Sequence, residues 1–249
     1  PQLEKSDYGE ISLKRNPTSP RTLFGLVMSG IAGLFTLAAI IPLLIILSYL
    51  ITKGVSSLSA AVFTELPPPP LVDGGGFGNA ILGTVLMVGI GALISIPLGI
   101  MAAIYLSEFN EGKVAEWIRF ATNVLSGVPS IIVGVFAYGV IVLTFKSYSA
   151  WAGGFALSIL MLPIIVRTTD ESLKLVPQDV RQASVGIGAN QYQTVLQVVL
   201  PAALPAIITG ITLAIARAAG ETAPLLFTAL FTQFWPNWDA LLVEPTASL

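Results

Sequence analysis

Five apolar runs, each near or beyond the length of a bilayer crossing, leave this chain few ways to fold. A helix needs about twenty apolar residues to cross a hydrocarbon core about 30 Å thick. The runs read Leu23 to Leu50, Ile81 to Leu106, Ile118 to Phe145, Trp151 to Val166, and Ala202 to Ala219, the last continuing as an apolar stretch to Phe234. The fourth is short and spans only if the bilayer thins around its ends or neighbours shield them. Charged residues make up 10% of the chain and mean hydropathy is +0.83, values foreign to a soluble domain. Pro42, Pro97, Pro129, Pro163, Pro205 and Pro224 fall in or at the ends of these runs. A proline at membrane depth frees a backbone carbonyl that neighbours must satisfy, so the spans are expected to pack as one bundle. The expected fold class is all-α, a polytopic transmembrane helix bundle.

Several chemistries drop out. The chain has no cysteine and no histidine. That removes disulfides, thiolate and imidazole metal ligands, and Ser-His or Cys-His catalysis. No GxxxxGK[ST] phosphate loop occurs. Gly74, Gly75, Gly76 and Gly78 cluster, but no strand precedes them and no lysine follows, so they read as a flexible loop before the second span. No nucleotide site, metal or cofactor is expected on this chain. A net charge of −2 argues against a nucleic-acid partner.

Basic residues orient the bundle, because Lys and Arg gather on the cytoplasmic side. Lys5, Lys14, Arg15 and Arg21 precede the first span. Lys113 and Arg119 lie between the second and third, and Arg167, Lys174 and Arg181 between the fourth and fifth. The opposite loops hold Lys53 and Lys146. The N-terminus is therefore expected in the cytoplasm and Pro67 to Pro70, a short polyproline stretch, outside. The first apolar run is too long for a cleavable signal peptide and lacks a small-residue cleavage site.

Arg181 to Pro201, RQASVGIGANQYQTVLQVVLP, is polar enough to leave the membrane yet sits between two apolar spans. It reads as helix, glycine turn, helix, proline stop. Pro177 suits a first helical turn, where a missing N–H costs nothing. Val180, Ala183, Ser184 and Ile187 fall at i, i+3, i+4, i+7, and Tyr192, Val195, Leu196 and Val199 repeat that spacing. Gly186 and Gly188 break the first helix, and Asn190 can cap the second. Such a helical knob fits a groove on a partner protein. The alternative is a hairpin lying on lipid, against which stands the lack of a Lys/Arg-rich polar face.

This segment resembles the EAA loop of ABC importer permeases, whose pattern is EAA, three residues, Gly, nine residues, I-x-LP. Gln182, Ala183, Ser184, Gly188, Val198, Leu200 and Pro201 stand in those places. Gln182 replaces Glu, Ser184 the second Ala and Val198 Ile; of these, Gln182 removes a charge that a basic group on the partner can meet. The resemblance implies a bundle of the type I ABC importer permease kind. Its cytoplasmic coupling helices would lie between spans four and five, and those seven residues would dock an ATPase.

Three ionisable groups lie where charge is expensive, Arg167, Arg217 and Glu221. Arg167 ends the fourth run, and either snorkels to the surface or meets an anion. Arg217 and Glu221 share a helix face at i, i+4, and either brace the fold as a pair or line an anion path. An arginine fork suits a tetrahedral oxyanion. The wording around them is specific. RAAGETAPLLFTAL, Arg217 to Leu230, and LPIIVRTTDESLKLVPQDVRQAS, Leu162 to Ser184, resemble the A-type permease subunits of phosphate-specific ABC importers.

That resemblance implies a permease subunit, not itself an enzyme, which imports inorganic phosphate through a path that includes Arg167, Arg217, Glu221 and Thr222. It implies a related C-type subunit as the other half, a pair of cytoplasmic ATPases carrying ATP and Mg, and an extracytoplasmic phosphate-binding protein. The expected location is a bacterial or archaeal cytoplasmic membrane. Residues 1–22 would be a cytoplasmic segment and residues 23–249 the permease domain, with the sixth span that the resemblance implies lying beyond them; a five-span protein is the alternative. Sulfate, molybdate or a phosphonate is the alternative cargo. A membrane scaffold or an intramembrane enzyme is the alternative class.

Overall fold

A computed structural model describes residues 19–55, 58–69, 71–72, 74–109, 112–237 and 244–249. The basic residues Lys5, Lys14 and Arg15, most of the expected N-terminal segment, Pro70 and residues 238–243 of the tail lie outside that set. The chain divides into two units, 1–58 and 59–249. The first contains α1, Pro20–Gly54, of 35 residues. Ser19 caps it, its Oγ accepting from the Thr22 N–H at 3.3 Å, and Pro20 sits in the first turn, where proline costs nothing. At 1.5 Å per residue α1 outruns a bilayer core.

The second unit is a helical bundle built around α7. In chain order its helices are α2, Ala60–Thr64; α3, Gly78–Glu108; α4, Lys113–Gly127; α5, Ser130–Ala137; α6, Leu143–Phe145; α7, Ala150–Lys174; α8, Gln178–Gly186; α9, Gln191–Thr194; α10, Leu200–Ala219; and α11, Leu225–Thr228. π-Helical turns join α5 to α6 over Tyr138–Val142, and α9 to α10 over Val195–Val199. The helices α1, α3, α7 and the continuous Gln191–Ala219 are long and apolar enough to cross a membrane, which makes this a multi-pass membrane protein.

α7 is the most enclosed span. Met87 of α3, Leu157, Met161 and Ile165 of α7, Ala214 and Ala218 of α10, and Leu225 of α11 form the main core. Small residues let α3 and α7 approach closely, as membrane helices require where lipid supplies no hydrophobic drive. A Cβ at Gly154 would lie 2.5 Å from Ile90 Cγ2 and 3.1 Å from the Met87 carbonyl oxygen. The last residues pack on the same bundle. The Thr246 N–H donates to the Ala229 carbonyl at 3.1 Å and the Leu249 N–H to Thr84 Oγ1 at 2.9 Å.

Three sequence expectations change. The run from Ile118 to Phe145 is not one straight span, because α4 and the segment from Ser130 meet at 108°. Pro129 lacks an N–H and drives Val128 into extended backbone, φ −76° and ψ 127°. The fourth span is not short. α7 runs on to Lys174, 25 residues in all, because Arg167–Glu171 and Asp170–Lys174 pairs at i, i+4 support its polar end. Pro201 is no stop. The π turn at Val195–Val199 shifts the hydrogen-bond register just ahead of it, and the helix continues to Ala219.

Candidate functional site

The knob between α7 and α10 follows from local chemistry. Pro177, at φ −57° and ψ 144°, is the N-cap of α8 and not its first turn. Gly188 takes φ +95°, a region side chains resist, and reverses the chain. Asn190 opens α9 through a capping box: its side chain accepts from the Gln193 N–H, and the Gln193 side chain from the Asn190 N–H, each at 2.9 Å. The second helix of the knob is the first turn of the fifth span.

Tertiary contacts then lock the knob in place. Arg181 of α8 forms an ion pair with Glu108 at the end of α3, and its Nη2 donates to the Leu173 carbonyl of α7 at 2.7 Å. Gln191 Nε2 donates to the Glu108 carbonyl at 3.0 Å. Ser184 and Thr194 hydroxyls meet at 3.0 Å inside the hairpin. The Tyr192 and Phe109 rings lie 5.2 Å apart.

The EAA-like residues divide accordingly. Ser184 is buried, Val198 and Leu200 are half-buried, and Gln182, Ala183, Gly188 and Pro201 are exposed. Of the two apolar stripes, Ser184, Val195 and Val199 turn inward. Val180, Ala183, Ile187, Tyr192 and Leu196 face outward, Ile187 at 88% exposure. An outward apolar knob on a polar hairpin is a surface with something left to cover.

The charged residues lie on α7 and at the end of α10. Arg167 does not end this helix but lies about two turns inside it, because the paired polar residues prolong α7. Its Nε donates to Glu171 Oε1 at 3.1 Å, with the arginine side chain 71% exposed. Arg217 Nε stands 3.8 Å from Glu221 Oε1, the arginine 65% and the acid 18% exposed. Arg217 and Glu221 share a shallow recess with Leu160 and Ile164. Leu160, Ile164, Arg167, Glu171 and Lys174 follow one helical stripe at i, i+4, i+7, i+11, i+14. Arg217 of α10 thus stands against this stripe at Leu160 and Ile164, and Arg167 follows on the stripe a turn beyond Ile164. Both acids sit at i+4 from an arginine, so neither cation is left bare.

Thr222 is exposed and belongs elsewhere. It lines a separate apolar cavity with Leu226, Leu230, Phe231 and the terminal Leu249. Arg167 lines a third cavity, with Arg119 and Asn123 of α4. In the sequence Arg119 and Lys174 bear only on orientation, and Glu108 does not stand out. For Lys174 a signal existed in its i+7 spacing from Arg167. For Arg119 and Glu108 none did, because their neighbours here come from distant helices.

The family described as binding-protein-dependent transport system inner membrane component matches residues 95–237. The phosphate transport system permease protein PstA of Yersinia pestis is 45% identical over 200 residues, 80% of this chain and 67% of that protein. PstA of Haemophilus influenzae is 42% identical over 224 residues, 90% of this chain and 78% of its own. An inward-facing MetNI methionine ABC transporter structure covers 57% of this chain and 67% of its own, at 22% identity and a TM-score of 0.49, too distant to bear on the fold.

Proposed function

Since this chain belongs to the family of binding-protein-dependent transport system inner membrane components, we propose that it is the A-type permease half of an ATP-driven importer of inorganic phosphate. The geometry that supports this is Arg217 of α10 set against Leu160 and Ile164 of α7, with Arg167 a turn beyond Ile164 and each arginine carrying a carboxylate at i+4. Guanidinium forks attract a tetrahedral oxyanion, and the paired acids keep the attraction weak enough for the anion to move on. The cargo named for both relatives favours phosphate over sulfate.

The other half is a related C-type permease facing the same arginines. A pair of cytoplasmic ATPases holds the ATP and Mg and grips the knob of each half. An extracytoplasmic phosphate-binding protein delivers the anion. Residues 1–22 and the knob lie in the cytoplasm, and residues 23–249 form the permease domain.

Two rigid links carry the stroke of the ATPase. One is the unbroken helix Gln191–Ala219, which joins the knob to Arg217. The other is the Arg181–Glu108 pair, which joins the knob to α3. Docking Val180, Ala183, Ile187, Tyr192 and Leu196 in a groove of the ATPase therefore moves the arginine face and the core span together.

The test is uptake by the complex co-purified with its ATPase and reconstituted with its binding protein. ATP-dependent uptake of radioactive phosphate, undiminished by excess sulfate or molybdate, is expected. Uptake that sulfate abolishes would reassign the cargo.

A further inference from the structure

We propose that the cavity between the ends of α3, α4 and α7 is a release station, where the transported phosphate anion rests once more before leaving; this rests on the importer reading above. The cavity is an open cleft of about 290 Å³, room for a hydrated tetrahedral anion. It begins at Arg167 and continues toward the end of α7 that the basic residues place in the cytoplasm.

Its lining has the chemistry of a weak anion site. Arg167 and Lys174 face it from α7, and Arg119 and Asn123 from α4, spaced i, i+7 and i, i+4 so that each pair shares a helix face. Asp170 and Glu171 also line it, so three cations stand against two acids. Glu171 engages Arg167 through Nε, which leaves the Nη edge of the guanidinium for two oxygens of an anion. The Thr122 hydroxyl, also in the lining, donates to the Ile118 carbonyl at 2.8 Å, so its lone pairs are open to a phosphate P–OH. Acids beside the cations hold affinity down, which is what a site on an exit route needs.

A phosphate group reaches such a site either as free anion or as the headgroup of an anionic lipid. The chain's lack of cysteine makes the two separable. Asn123→Cys places this chain's single thiol in the cavity. Asn123 is exposed, so the change leaves the packing intact. The assembled importer is reconstituted in phosphatidylcholine vesicles with its cytoplasmic face outward. The rate at which an impermeant maleimide labels this chain is then read.

Inorganic phosphate at millimolar concentration should slow labelling about threefold or more, and chloride at equal ionic strength should not. In uptake by the otherwise unchanged complex, Arg119→Gln should lower phosphate import per assembled complex about fivefold, with Arg119→Lys largely restoring it. A complex that imports phosphate yet labels at the same rate with and without it would overturn the station alone. Slowing by phosphatidylglycerol vesicles but not by inorganic phosphate would overturn it in favour of a lipid headgroup. A complex that imports no phosphate would overturn the cargo reading first, and the station with it.

Discussion

Arg181 and Glu108, 73 positions apart, form an ion pair whose side chains are only 15% and 8% exposed. The pair fastens the knob to the end of α3, while the same guanidinium reaches the Leu173 carbonyl of α7. Three elements thus meet at one arginine. Breaking such a pair from one side strands a charge in a desolvated place, which costs about 3 kcal/mol or more. Glu108→Gln is therefore expected to lower the thermal stability of the purified complex strongly. Glu108→Leu combined with Arg181→Met should recover most of it, because both charges leave together. Unfolding midpoints of the singles and the double decide this, and strictly additive losses would show that the two residues do not act as a link.

Gly188 should be intolerant for backbone reasons alone. No atom lies within 4 Å of the place a Cβ would take, so crowding is not the issue, but φ is +95°. Gly188→Val is expected to strain the turn by about 1–2 kcal/mol. It should leave the complex assembled and dissociate ATP hydrolysis from transport. Gly188→Asn should be milder, since asparagine tolerates positive φ better. The ratio of phosphate imported to ATP hydrolysed is the quantity to compare, and a wild-type ratio in the valine variant would refute the role given to the turn.

Arg217→Gln and Glu221→Gln separate transport from bracing. The arginine is 65% exposed, so the pair contributes about 1 kcal/mol or less to stability. Both variants should assemble in normal amounts. Arg217→Gln should cut uptake per assembled complex at least about tenfold through loss of the attracting charge, and Glu221→Gln less, by letting the arginine hold the anion too firmly. Normal uptake per complex at reduced assembly would make the pair a brace.

Orientation is open to a direct check. A reporter fused after Lys113 should read cytoplasmic, and one fused within Pro67 to Gly76 external. The reverse pair of readings would move the knob to the outer face and remove its access to an ATPase.

What the sequence determined by itself is whatever depends on near neighbours in the chain. Apolar runs mark the spans because a bilayer imposes a length on any helix that crosses it. Gly188 and Asn190 mark the knob because a positive φ and a capping box are settled within a few residues. The i, i+4 spacing of Arg217 and Glu221 announces their pairing, since helical periodicity alone puts them side by side. Tertiary structure decided the rest. Nothing near Glu108 says that it meets Arg181, and nothing near Arg119 says that it shares a cavity with Lys174. Pro129 warns of a break, but the 108° turn is set by where α4 and α5 pack on α7. Pro201 reads as a stop until a π turn, held by burial of Val195 and Val199, carries the helix past it. Local signals settle how a segment is built, and only packing between distant segments settles which charges meet.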